Sequence, residues 1–231
     1  MNTTMYDKLL QLPLFQGLCT SDLTKILEKV RLHFQRFQPG ERIYAQGDVC
    51  DKLVFLLDGT IIAETTDDKK RFTFLEDLDS PHIIEPYSVY GMNTRYDSSY
   101  IAKTEVGIVS IDKSYIPNIL TEYGIFQLNF INIICNRSQT LRSRLWNTHI
   151  GETNMKILCF IMIRCLRLTG RKVLRIRMED LAILINETRI NVSRALNEFQ
   201  NLGLAELNRK EVVIPKLEEL NDYLTKINDV Q

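Results

Sequence analysis

The sequence predicts an α+β chain: a double-stranded β-helix or jelly roll first, a long helix next, and a winged helix-turn-helix last. Three observations lead there. Short apolar runs separated by glycine turns fill the first half of the 231 residues. A helical stretch with apolar residues at coiled-coil spacing follows. Two short amphipathic helices with a hairpin behind them complete the pattern. The expected domains are residues 1–124, a linking helix and hinge over 125–150, and residues 151–231.

Residues 5–12 and 21–30 carry helical patterns, the second with Thr20 or Ser21 as its cap ahead of Asp22. Turn groups then recur at Pro39-Gly40-Glu41, Gln46-Gly47-Asp48, Leu57-Asp58-Gly59 and Thr66-Asp67-Asp68-Lys69. Strand-like runs lie between and beyond them at 42–45, 53–57, 61–65, 71–75 and 106–111. Many short strands at regular spacing indicate a sandwich or jelly roll. Residues 112–120 read as a short helix.

A longer helix is expected over 125–148. Along it Ile131, Ile134, Ser138, Leu141, Leu145 and Thr148 fall at steps of 3, 4, 3, 4, 3, the period of a coiled-coil seam. Such a seam on a helix leaving a compact domain is suited to a second copy of the chain. The alternative is that it packs on its own β-domain. Gly151 marks the expected hinge.

Residues 178–202 carry the most informative pattern. Leu181, Ala182, Leu184 and Ile185 form the inner stripe of a first helix, with small Ala182 where a second helix must cross closely. Asn186 stands at the turn, where a left-handed backbone is needed and Asn tolerates it best among non-glycine residues. Thr188 is placed to cap the second helix by accepting from the amide of Asn191. Val192, Ala195, Leu196 and Phe199 then pack that helix against the first. Arg189, Asn191, Ser193, Arg194 and Asn197 are left on or near the outward face. Arginine and asparagine can hydrogen-bond guanine and adenine edges, and serine suits phosphate. Double-stranded DNA is therefore the first partner to expect. An ordinary helical hairpin with a solvated polar face is the plainer alternative.

Asn201, Leu202 and Gly203 end the second helix with a glycine cap. Residues 204–207, a polar turn at Asn208-Arg209-Lys210, and 212–214 read as a β-hairpin, which makes a winged helix. Arg209 and Lys210 at its tip are expected to touch phosphate, although basic tips also occur for solubility alone.

The composition sets bounds. At 45% apolar residues the chain can bury one or two cores. No apolar run is long enough to cross a bilayer, the longest being residues 157–163, and the first residues do not resemble a secretory signal. The expected location is the cytoplasm, with no membrane partner. Cys19, Cys50, Cys135, Cys159 and Cys165 are odd in number and form no CxxC pair, which fits reduced thiols rather than disulfides or zinc. Net charge is zero. Residues 1–150 nevertheless hold 16 Lys and Arg against 18 Asp and Glu, whereas residues 151–216 hold 12 against 7. The basic excess falls on the segment expected to meet DNA.

The order of β-roll, long helix and winged helix resembles the Crp/Fnr family of bacterial transcription regulators over roughly residues 10–220. The stretch from Pro39 through Gly40, Glu41, Arg42 and Gly47 to Asp48, then Leu53, Val54, Phe55 and Gly59, matches the turn positions of the family's cyclic-nucleotide-binding roll. In the second helix of the motif, the family's Arg-Glu-Thr-Val-Ser-Arg corresponds to Arg189, Ile190, Asn191, Val192, Ser193 and Arg194, so both arginines match and the glutamate is replaced. The resemblance implies a DNA-binding homodimer that acts with RNA polymerase, with a sensor domain at its amino end.

The sensor departs from the family's cyclic-AMP binders. Where they carry Gly-Glu for the ribose, this chain has Ile84, Glu85 and Pro86. Where they carry Arg-Ser for the cyclic phosphate, it has Tyr96 and Asp97 ahead of Ser98 and Ser99, with Arg95 one position away. The adenine-contacting pair is replaced by Leu141 and Arg142. An aspartate beside a phosphate is repulsive, so cyclic AMP is not the expected effector. An iron-sulfur cluster would need several thiolates near the amino end, where Cys19 stands alone. Haem would need an axial ligand, and His33, His82 and His149 are isolated. The Ile-Glu-Pro stretch is most similar to regulators of Bacteroides-like bacteria.

Three functions follow as alternatives. The first is a sequence-specific regulator. The second is a nonspecific or architectural DNA-binding protein with a vestigial sensor. The third is a metal enzyme on the same roll, for which the dispersed histidines supply no ligand cluster, so no enzyme and no metal site are expected.

Overall fold

The computed structural model describes residues 5–146 and 152–228. Its contacts divide the chain into two compact units, one taking the chain up to Ala63 with Leu78–Ser138, the other Glu64–Asp77 with the chain from Gln139 onward.

The first unit begins with helices α1 (Met5–Gln11) and α2 (Thr20–Lys29). Cys19 occupies the cap position of α2, its sulfur 2.9 Å from the Ser21 hydroxyl rather than accepting from a helix amide, so neither Thr20 nor Ser21 is the cap; both lie inside the helix. Strands β1 (Leu32–Phe37), β2 (Arg42–Tyr44), β3 (Lys52–Asp58), β4 (Thr60–Thr66), β5 (Phe72–Asp79), β6 (His82–Ile84), β7 (Ser99–Ala102) and β8 (Val106–Asp112) follow along the chain, β5 belonging to the second unit as far as Asp77. The first sheet has the antiparallel order β1-β8-β3-β6. In β3, Leu53, Val54, Phe55 and Leu56 are all buried, as expected of a central strand covered on both faces. β2 pairs with β7, which neighbours β4.

Gly59 connects β3 to β4 at φ +85°, and a Cβ there would lie 2.2 Å from the carbonyl oxygen of Glu105. Only glycine fits that approach. Phe15 packs on Phe55 and Phe126 at centroid distances of 5.4 and 5.7 Å, which anchors the opening helices to the roll. Asp112 belongs to β8, and the short helix expected over 112–120 is reduced to α3 (Tyr115–Asn118) and a 3-10 turn at Leu120–Glu122. Pro117 withholds one amide donor from this segment.

The long helix is α4 (Gly124–Trp146). Ile131, Ser138 and Leu145 are exposed on it, whereas Ile134 and Leu141 are half-buried. Leu128 and Cys135 are exposed as well, so the open face runs through Leu128, Ile131, Cys135 and Ser138, one residue out of the expected frame at Ile134. Thr148 and Gly151 lie outside the described residues.

The second unit contains α5 (Thr153–Arg164), β9 (Lys172–Ile176), α6 (Met178–Leu184), α7 (Arg189–Asn201), β10 (Glu206–Asn208), β11 (Glu211–Ile214) and α8 (Leu217–Asn228). The strand order β10-β11-β9-β5 is antiparallel. The domain boundary read from the sequence kept residues 64–77 with the roll, but β5 places Phe72 to Glu76 opposite Ile176 to Lys172. β5 alternates strictly, with Phe72, Phe74, Glu76 and Leu78 inward. Phe72 and Phe160 meet edge to face at 5.5 Å, and the guanidinium of Arg164 lies 3.5 Å from the Phe160 ring centroid. Burial lowers the pKa of that guanidinium to about 10. Helix α8 completes the core with Leu217, Leu220 and Leu224.

Candidate nucleic-acid interface

Two helix endings frame α7. The amide of Asn186 bonds to the carbonyl of Ile183, and the amide of Glu187 to that of Ala182, with Asn186 at φ +53°. That is a Schellman ending with asparagine in the left-handed position. Thr188 then caps α7, its hydroxyl accepting from Asn191 N at 3.2 Å. Helix α7 ends in the same way. Gly203, at φ +71°, bonds to Gln200, and Leu204 bonds to Phe199. The two endings fix the direction and length of α7 between chemically defined stops.

The buried side of α7 is Val192, Ala195, Leu196 and Phe199. At about 100° per residue the opposite side falls to Ile190, Arg194, Asn197 and Asn201, and all four are exposed. Arg189 Nε lies 3.0 Å from Glu179 Oε1 of α6, an exposed pair that orients the guanidinium without contributing much stability. Asn191 is half-buried and its amide donates to Glu187 at 3.1 Å. Glu187 in turn accepts from Lys156 at 2.7 Å, a bond that lowers its carboxyl pKa. Asn191 thus faces a polar cluster of its own unit. Asn197 approaches the hydroxyl of half-buried Ser193 at 3.4 Å. At the wing, Arg209 and Lys210 are both exposed, and Lys210 adopts φ +62°. A cavity of about 210 Å³, lined in part by Arg177, Glu179, Arg189, Asn208 and Lys210, lies between the start of α7 and the wing.

In the roll, Glu85 is buried at φ +36°. Its carboxylate accepts from the amides of Asp97 at 2.9 Å and Ser98 at 3.0 Å, from the Tyr100 hydroxyl at 2.8 Å and from the Ser88 hydroxyl at 2.7 Å. Burial raises its pKa against those bonds. Arg95 donates to the carbonyl of Gly47 at 2.6 Å, and Ser99 accepts from the amide of Gln46. Ile84 is buried. Arg137 of α4 lies 5.4 Å from the Tyr87 ring centroid and lowers the Asp97 pKa, which burial raises more strongly. Leu141 is half-buried and Arg142 exposed on α4. Tyr87, Ser88, Tyr100 and Arg137 were not foreseen from the sequence, because they act through Glu85 and Asp97 rather than through a local motif. Among the described residues no three His, Cys, Asp or Glu side chains cluster to hold a metal, and no helix is long and apolar enough to cross a membrane.

The family model described as a cyclic nucleotide-binding domain matches residues 34–123, and the one described as a Crp-like helix-turn-helix domain matches residues 157–223. The chain belongs to the Crp/Fnr family. No curated protein matches it in sequence. Among solved structures, the Crp/Fnr chain is similar to the catabolite activator protein of Thermus thermophilus at 17% identity, covering 91% of this chain and 97% of that one with a TM-score of 0.49. Similarity to DNR of Pseudomonas aeruginosa is at 12% identity over 96% and 98% of the chains, TM-score 0.47. For FixK2 of Bradyrhizobium japonicum the values are 12%, 84% and 97%, and 0.47. The Crp/Fnr assignment rests on the two family matches, which give this chain the fold of a DNA-binding transcription regulator.

Proposed function

We propose that this chain is a homodimeric, sequence-specific transcription regulator of the cytoplasm, in which α7 enters the major groove and the wing tip holds phosphate. The observation that carries the reading is the two-sided build of α7. A fully buried apolar stripe lies opposite an exposed stripe containing Arg194 and Asn197, beside a wing tipped by Arg209 and Lys210. Selection of binding sites from random duplex DNA tests it. The expected result is one enriched two-fold symmetric motif. Enrichment of none would replace this reading with nonspecific, architectural binding. RNA polymerase is the partner through which such a regulator acts.

A single α7 reads few base pairs, so two copies related by a two-fold are needed to span half-sites about one DNA turn apart. The exposed Leu128, Ile131, Cys135 and Ser138 face of α4 supplies a surface for that pairing. Mild oxidation should join two copies through Cys135 and should fail in Cys135→Ser while persisting in Cys19→Ser. A chain that sediments as a monomer at micromolar concentration rejects the dimer.

The proposed effector is not cyclic AMP. Both oxygens of Glu85 are engaged by protein donors, and the Arg95 guanidinium is directed to Gly47. Cyclic AMP at millimolar concentration should leave the melting temperature unchanged; a saturable rise would refute this part of the reading.

A further inference from the structure

We infer that Ile190 reads the 5-methyl group of a thymine in each half-site. The inference rests on the reading of α7 as the major-groove probe and adds which base its first turn selects.

Ile190 is 71% exposed and stands in the first turn of α7, on the side directly away from Val192, Ala195, Leu196 and Phe199. The residues around it are engaged differently. Thr188 is spent on capping, Arg189 lies against Glu179, and Asn191 is turned to Glu187. The leading point of the exposed stripe is therefore aliphatic, with Arg194 one turn behind it. A scattered exposed isoleucine needs no explanation by itself. Here it heads the exposed stripe that the proposed reading turns toward the base edges.

An isoleucine side chain has neither donor nor acceptor. Among the four base-pair orientations in the major groove, the thymine 5-methyl is the apolar feature it can bury. Opposite the cytosine amine or the guanine carbonyl it would strip water from a polar group and offer no hydrogen bond in return, which penalises those bases. Ile190 thus selects positively, through methyl burial, and negatively, through unpaired polar edges.

The test uses the full-length protein and the motif it selects from random duplex DNA. Each thymine of the motif is replaced in turn by deoxyuridine, which removes the methyl and keeps Watson–Crick pairing. The expected result is one position per half-site at which replacement lowers affinity about fourfold, with the other positions insensitive. Ile190→Ala should bind the thymine and uracil operators equally while selecting the rest of the motif unchanged, and Ile190→Val should keep the discrimination. Circular dichroism melts of the variants should match the wild type, since the side chain is outside the core. Indifference of the wild type to every replacement overturns the inference, as does full sensitivity in Ile190→Ala. A wild type that enriches no motif overturns the inference together with the reading it rests on, and so is told apart from failure of the inference alone.

Discussion

Lys172 Nζ lies 2.9 Å from Glu76 Oε1, and the two side chains are 1% and 2% exposed. They face each other directly across the β5 and β9 pairing. Glu76 also accepts from the amides of Leu166 and Arg167, each at 2.7 Å, and Lys172 donates to the carbonyl of Thr169 at 2.7 Å. Both charges are therefore desolvated and hydrogen-bonded. The segment 64–77 is held in the winged unit by this pair as well as by the backbone ladder.

Removing one partner leaves the other charge buried without compensation. Lys172→Met should destabilise the protein by about 3–5 kcal/mol. Glu76→Ala should cost at least as much, because it also strands two amides. The double variant should cost less than the sum of the two, since neither charge remains to be left alone. Denaturant unfolding of the four proteins measures the coupling; strict additivity would show that the pair does not act as one.

Patterns that close within one element were legible in the sequence. Asn186, Thr188 and Gly203 were assigned their backbone roles because each role is local, and the buried stripe of α7 follows from helical period alone. Strands β1 and β9 were missed for opposite reasons. β1 lies at a sheet edge, and its exposed Phe34, Gln35 and Arg36 blur the alternation. β9 opens with a lysine, and nothing near it in sequence announces the distant carboxylate that lets Lys172 be buried. Membership of residues 64–77 in the winged unit was hidden for the same reason. The bond from Lys156 to Glu187 was hidden too, because Lys156 belongs to another helix.

Asn186 should tolerate glycine and resist branching. Its φ of +53° costs an L-residue roughly 1–2 kcal/mol, which Asn offsets in part. Asn186→Gly should leave the melting temperature within experimental error or raise it. Asn186→Val should lower stability by about 1–3 kcal/mol and weaken DNA binding by altering the angle between α6 and α7. Equal melting temperatures for the two variants would remove the left-handed turn from the account.

Glu85 gives the roll a defined response to pH. Burial raises its folded pKa above the ordinary carboxylate value, so the folded state holds the proton more tightly than the unfolded chain. Its contribution is then fully present below the unfolded pKa and is lost as pH rises through the folded one. The stability of wild type minus that of Glu85→Gln should fall as pH is raised from the ordinary carboxylate range upward. Asp97 shifts in the same direction and its charge raises the Glu85 pKa further, so the difference between the two proteins reports the coupled pair. Melting temperatures across that range supply the measurement, and a difference that rises with pH would mean that the hydrogen bonds to Glu85 outweigh its burial.

Arg194 and Lys210 should separate in their dependence on salt and on sequence. Arg194 lies on the exposed stripe of α7 that is proposed to face the bases, so Arg194→Ala should cost about 1–3 kcal/mol at the selected operator and relax preference at one position of each half-site. Lys210 lies at the wing tip with φ +62°, and alanine there would mix charge loss with backbone strain. Lys210→Gly keeps the turn and removes the charge. It should weaken binding to all sequences alike and reduce the slope of log affinity against log salt by about one per protomer. Titrations at several salt concentrations, on the operator and on a scrambled duplex, distinguish the two roles. Loss of sequence preference in Lys210→Gly, or an unchanged salt slope, would mean that the wing does not hold phosphate.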